Sequence, residues 1–125
     1  MSDRPRLPSR RTTVELGRSA ESRVEALYLA RGFELVARNV RVGRLEIDLI
    51  LRRGFLHVVC EVKHRATTDF GDPASAVDRA KQERVRRAAA RWLEERAVVG
   101  TVRFDVATVV GDPTQGRVTV FANVF

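Results

Sequence analysis

The chain has 125 residues, 44% of them hydrophobic, with 23 Lys and Arg against 16 Asp and Glu for a net charge of +7. That length holds one core, and no apolar run reaches the ~20 residues of a membrane-spanning helix. A field of this sign favours a polyanion, nucleic acid or an anionic membrane surface, as partner, with a merely soluble basic surface as the plain alternative. The single cysteine, Cys60 in the apolar run Val58-Val59-Cys60, excludes an internal disulfide and suits a reducing cytoplasm, and a buried inert thiol is expected there.

Residues 1–12 read as a disordered basic arm, with Arg4, Arg6, Arg10 and Arg11 around Pro5 and Pro8 and no apolar segment of a secretory signal. Residues 13–125 read as the single domain. Thr13 to Arg31 has helical periodicity at Leu16, Ala20, Val24 and Leu27, and Gly32 follows as a C-cap. Glu21 flanks that stripe beside Gly17 and Tyr28, so it points along the edge of whatever the helix covers; a solvated helix-edge glutamate is the plain alternative.

Phe33 to Asn39 reads as a short strand. Leu45 to Leu51 alternates, with Leu45, Ile47, Leu49 and Leu51 on one face and Glu46, Asp48 and Ile50 on the other. After a turn at Arg52-Arg53-Gly54, Phe55 to Lys63 places His57, Val59, Glu61 and Lys63 on one face and Leu56, Val58, Cys60 and Val62 on the opposite one. A hairpin then sets Asp48 and Glu61 on one face of neighbouring strands.

His64 to Ala76 reads as a loop marked by Gly71-Asp72-Pro73, and Asp78 as the N-cap of a helix ending near Glu95. Its apolar stripe is Lys81, Val85, Ala88 and Trp92. Lys81 either lays its stem on the core with the ammonium in water or aims a cation into the carboxylates. Arg84, Arg86, Arg87 and Arg91 coat the other faces, where they grip a phosphate backbone or are simply solvated. Trp92 and Tyr28 are expected to pack. Thr101 to Val110 and Arg117 to Phe125 read as strands joined by a turn at 111–116. The order α, three strands, α, two strands predicts an α/β domain with one mixed sheet of about five strands flanked by helices.

Only two of the basic residues are lysines, and one stands in Glu61-Val62-Lys63, with Asp48 thirteen residues before Glu61. Two carboxylates at short range repel unless a cation joins them. Mg²⁺ or Mn²⁺ takes oxygen ligands and keeps several waters, so Asp48, Glu61 and the Val62 carbonyl form a candidate metal set. Such an ion polarises a phosphate and acidifies a bound water. Lys63 is placed to orient that water or to stabilise developing charge, Glu21 and Glu46 to complete the shell, and Lys81 and Gln82 to meet a phosphate. The competing account is a set of surface ion pairs, Glu61 with Lys63 and Asp48 with Arg53. His57 and His64 lack zinc-ligand spacing with each other or with Cys60, and no phosphate-loop, dinucleotide-binding or nucleophile-elbow motif occurs.

Leu16-Gly17-Arg18-Ser19-Ala20-Glu21, Gly32-Phe33, Ala37-Arg38-Asn39, Glu46-Ile47-Asp48-Leu49-Ile50, Glu61-Val62-Lys63-His64-Arg65, Phe70-Gly71-Asp72-Pro73, Lys81-Gln82 and Arg103-Phe104-Asp105-Val106 occur in that order. This series resembles the YraN-like family of uncharacterised bacterial proteins, from about Leu16 to Val110. The resemblance implies a restriction-endonuclease-like fold close to archaeal Holliday-junction resolvases. It sets Glu21, Asp48, Glu61 and Lys63 at nuclease-site positions, with Glu46 and Lys81-Gln82 on further family motifs. Leu45 departs from the glycine usual before Glu-Ile-Asp, which narrows access or shifts Glu46.

The expectation is thus a cytoplasmic, Mg²⁺- or Mn²⁺-dependent DNA endonuclease acting on branched or distorted DNA in repair or recombination. Asp48, Glu61, Lys63, Glu21 and Glu46 would be catalytic, and Lys81, Gln82, Arg84, Arg87, Arg91 and Arg65 would hold nucleic acid. A homodimer would widen the small surface one copy offers a duplex. The alternatives are a non-catalytic nucleic-acid-binding module on the same fold, or a small protein-interaction subunit.

Overall fold

A computed structural model of the chain describes residues 13–66 and 77–125; the expected basic arm and the Gly71-Asp72-Pro73 loop lie outside them. Among the described residues the order is α1 (Thr13–Ala30), β1 (Glu34–Val42), β2 (Leu45–Arg53), β3 (Leu56–Arg65), α2 (Arg79–Glu95), β4 (Thr101–Val110) and β5 (Arg117–Phe121). The strands form one mixed sheet in the order β1-β2-β3-β4-β5. Only the β3–β4 pair is parallel, and α2 lies in the crossover between its strands.

Local chemistry explains the boundaries. α1 ends in a Schellman motif: Phe33 N–H donates to the Tyr28 carbonyl and Gly32 N–H to that of Leu29. Gly32 takes the positive φ of 87° this needs, and the Phe33 ring meets Tyr28 edge-on at 5.3 Å. The β1–β2 and β2–β3 hairpins close on Gly43-Arg44 and Gly54-Phe55, with a positive-φ glycine first in each two-residue loop. This carries β1 to Val42 and β2 to Arg53, beyond the expected ends, because each residue added finds a partner across the ladder. α2 starts where Asp78 accepts from the Lys81 amide at 2.8 Å, an N-cap worth ~1 kcal/mol.

The helices cover opposite faces. Ala20, Val24 and Tyr28 of α1 pack with Leu49, Leu51, Val58, Cys60, Ala107 and Val109, with Leu27 partly buried beside them. Val85, Ala88, Ala89, Trp92 and Leu93 of α2 pack with Ile47, Ile50 and Val59. Burying each large side chain contributes ~1.5–3 kcal/mol, so both helices depend on the sheet rather than on propensity alone. Burial also pushes the Cys60 thiol up, in keeping with an inert core cysteine.

The alternation expected for β2 fails at one point. Leu45 and Ile47 pack on the α2 side, whereas Leu49 and Leu51 pack on the α1 side. Residues two apart share a face only while the pleat is regular, and here the backbone turns over at Asp48. The β1–β2 ladder passes from Arg38↔Leu49 to Val40↔Ile47, Asn39 between them has φ of 51°, and the β2–β3 ladder stops at Leu49↔Cys60.

A buried polar anchor ties α1 to β4 on the face it covers. Asp105 on β4, fully buried, accepts from the Tyr28 hydroxyl at 2.6 Å, from Arg103 through two bonds of 2.9 Å, and from the Asn123 amide at 2.9 Å.

Candidate functional site

The turnover at Asp48 builds the site. Past Cys60, β3 no longer pairs with β2, and the Val62 amide instead donates to Asp48 Oδ2 at 2.8 Å. Asp48 therefore stands in the gap between two diverging strands. It is within electrostatic reach of Glu21 on one side and of Glu61 and Lys63 on the other.

Glu61 lies on the α2 face of β3 as expected and is 1% exposed. Its Oε1 is buried without a hydrogen-bond partner among the described residues. Burial first, and the adjoining Asp48 carboxylate second, hold its pKa well above the ordinary carboxylate range, while the Lys81 and Lys63 ammonium groups pull it down. Lys63 is half-buried, and desolvation together with the neighbouring Lys81 charge lowers its pKa. Both lysines of the chain thus bear on one buried glutamate.

Across the gap, burial and the charges of Asp48 and Glu46 push Glu21 up to about 7. With its amide nitrogen turned toward them, Asn39 donates to Glu21 Oε2 at 2.8 Å and to Glu46 Oε1 at 3.2 Å. Sequence reasoning missed this clamp; the signal available was an asparagine, tolerant of positive φ, inside a strand. Glu21 also opens on a polar cleft of about 410 Å³ with Arg18 and Arg38 on its rim, where Arg38 pairs with Glu25 at 3.2 Å.

The surface-pair account fails on two residues. Glu61 is buried, and Arg53 donates to the Arg31 carbonyl at 3.0 Å and lies 4.4 Å over the Phe33 ring, away from Asp48. His57 does not join the site. It lies four residues before Glu61, ~13 Å along the strand, buried with Nδ1 unpartnered among the described residues.

A matching family profile, described as uncharacterised protein family UPF0102, spans residues 20–109. The chain belongs to the UPF0102 family. A UPF0102 protein of Shewanella amazonensis is 42% identical over 96 residues, 77% of this chain and 89% of that protein. One from Frankia casuarinae is 45% identical over 107 residues, 84% and 89% of the two chains. The matched span holds Glu21, Glu46, Asp48, Glu61, Lys63 and Lys81, and it bears out the YraN-like resemblance.

Whether the donors fit a divalent cation turns on Glu61. Among the described residues no group of three or more His, Cys, Asp or Glu side chains is arranged to hold a metal ion. Two carboxylates are nevertheless in place, one with a desolvated oxygen lacking a partner. Carboxylate oxygens are hard donors of the kind Mg²⁺ and Mn²⁺ take, with waters in the remaining positions. The residues fit.

The outer residues divide. Gln82 commits its amide nitrogen to the Val77 carbonyl at 3.0 Å. Arg65, at the end of β3, donates to the His64 carbonyl at 3.3 Å while the His64 ring meets the Gly111 carbonyl at 2.5 Å. Arg84, Arg87 and Arg91 line a separate cleft on the outer flank of α2. Leu45 is partly buried against the α2 cluster and lines that cleft.

Proposed function

We propose that this UPF0102 protein is a metal-dependent endonuclease, on a restriction-endonuclease-like fold, that hydrolyses phosphodiester bonds in DNA. The observation that carries the reading is the buried Glu61, one oxygen unpartnered, set between the Asp48 carboxylate and the two lysines where β2 leaves β3. A buried carboxyl oxygen left without a hydrogen-bond partner costs stability, a cost that a ligand reaching that oxygen would offset.

Asp48, Glu61 and the Val62 carbonyl are the residues that would hold Mg²⁺ or Mn²⁺, and the bound ion would supply Lewis-acid polarisation and a more acidic water. Lys63 orients the attacking water or stabilises charge on the phosphate. Lys81 adds a second cation to the same face. Glu21 and Glu46, gathered by Asn39, flank Asp48 and fix its edge of the site. The net charge of +7 draws a polyanionic substrate toward them.

The test is cleavage of labelled branched, flap, single-stranded and duplex DNA with Mg²⁺ or Mn²⁺, alongside calorimetric titration of the metals. Wild type is expected to cut at least one form and to bind metal, with both lost in Asp48→Ala and Glu61→Ala and DNA binding retained. The second reading is a non-catalytic DNA-binding module, favoured by the lack of a three-ligand metal cage among the described residues. Absence of cutting in every metal, with binding untouched by either substitution, would establish it instead.

A further inference from the structure

Between the tip of the β1–β2 hairpin and the outer flank of α2 lies a cleft of about 330 Å³. Its floor is apolar, from Val42, Leu45 and Ala88, and its rim is Arg44, Arg84, Arg87 and Arg91. No acidic residue lines it. Among the described residues, Arg44, Arg84 and Arg87 make no ion pair or side-chain hydrogen bond, whereas Arg38 and Arg52 are paired to glutamates and Arg103 to Asp105. Arg91 shares its charge with Glu95 at 3.1 Å. Three guanidinium groups are therefore left for an external anion.

The floor narrows the choice of anion. Duplex DNA keeps its bases stacked inside and presents phosphates and sugars, which gain little from apolar contact. An unpaired base has two apolar faces to bury, and guanidinium planes stack on such faces while also holding the adjoining phosphates. The volume is at the lower end of the ~300–1,000 Å³ range of ligand sites, a size for one nucleotide rather than a helix.

Position adds a third argument. Arg84, Arg87 and Arg91 recur about once per turn of α2, and Lys81 lies three residues, ~4.5 Å of helix rise, before Arg84. A strand held along this flank passes toward Lys81, Lys63 and Glu61.

We infer that the Arg44–Arg84–Arg87–Arg91 cleft holds an unpaired nucleotide of a DNA strand, so that the substrate carries a single-stranded segment beside the bond to be cut. This rests on the nuclease reading of the carboxylate site.

Binding is measured by fluorescence anisotropy on the full chain in EDTA, where no cutting occurs, with a labelled oligothymidylate of about 16 nucleotides and a blunt duplex of the same length. The oligothymidylate is expected to bind about tenfold more tightly, the yield of one stacked base. Arg44→Ala and Arg87→Ala, both at exposed positions, should weaken that binding and each lower the salt slope by about one. Leu45→Gly should reduce the preference for single strand and leave the salt slope unchanged. Equal affinity for both forms overturns the inference, as does a preference that survives all three substitutions. Tighter binding of oligouridylate overturns the assignment to DNA. Preference for single strand without cutting in any metal removes the nuclease reading and the route toward it, keeping the cleft as a binding site. Cutting of blunt duplex without the preference keeps the nuclease and removes the cleft.

Discussion

The Val62 amide donates to the Asp48 carboxylate at 2.8 Å, so the residue that closes the β2–β3 ladder is also the one that brings charge into the gap. Structure and chemistry compete at this side chain. Its oxygen completes a backbone hydrogen bond, while its charge raises the pKa of both Glu21 and Glu61.

Two substitutions separate these effects. Asp48→Asn keeps an acceptor for Val62 and removes the repulsion, so in EDTA at pH 8 its urea midpoint should equal or exceed that of wild type. Asp48→Ala leaves the amide unpartnered, a cost of ~1–3 kcal/mol, and should fall below Asp48→Asn. Both should lose metal binding. An Asn variant less stable than the Ala variant would mean that the side-chain acceptor contributes nothing.

The contribution of Glu21 and Glu61 to the stability of the metal-free chain should decline as pH rises. Glu21 titrates near 7 in the fold against an ordinary value of 4.5, and Glu61 is raised in the same direction. Between the unfolded and folded values the native state holds more protons than the unfolded one, so unfolding free energy falls with pH. The loss should begin above about pH 4.5, pass through about 7 for Glu21 and continue beyond it for Glu61. Urea titrations from pH 4 to 9 in EDTA should show this, and Glu61→Gln should flatten the upper part. A stability that rises over that window would mean that these carboxylates are not crowded.

Much of this was legible in the chain, because the signals were local. Gly32 and Asp78 marked helix ends, and the period of β3 set Glu61 and Lys63 on one face with Cys60 and Val62 on the other. What failed was the alternation of β2, since a period of two assumes an unbroken pleat and the turnover at Asp48 answers to β1 and β3. Asn39's clamp on Glu21 and Glu46 and the cleft between Arg44 and α2 join segments far apart in sequence, which no local pattern reports.

The same limit hid the Tyr28–Asp105 bond, whose partners are 77 residues apart. Tyr28→Phe removes one donor to a buried charge and should cost ~1.5–3 kcal/mol. Asp105→Ala strands Arg103, the Tyr28 hydroxyl and the Asn123 amide together, and should cost ~3–5 kcal/mol. Chemical denaturation checks both, and equal losses would show that Tyr28 carries the whole anchor.

Two glycines should respond oppositely to alanine. Gly17 in α1 has nothing within 4 Å of an added Cβ, so Gly17→Ala should stabilise by ~0.5–1 kcal/mol. Gly100 has φ of 141°, and a Cβ there would stand 2.2 Å from the Phe55 carbonyl oxygen, the acceptor of the Thr101 amide. Gly100→Ala should lose that bond and cost ~2 kcal/mol or more. Thermal melts of the pair decide it.

Lys81 offers the sharpest test of the site. The Asp78 cap fixes the start of its helix, and its ammonium bears on Glu61 and Lys63. Lys81→Met keeps the stem and removes the charge. Under the proposed function it should slow cleavage by ~10²-fold, the scale of losing one charge-stabilising group, while metal binding at Asp48 and Glu61 persists. Lys81→Arg should recover little, because a planar fork does not replace a compact ammonium in a crowded pocket. Wild-type cleavage in Lys81→Met, with loss in Lys63→Met, would reduce Lys81 to a helix-edge lysine and leave Lys63 as the cation the reaction uses.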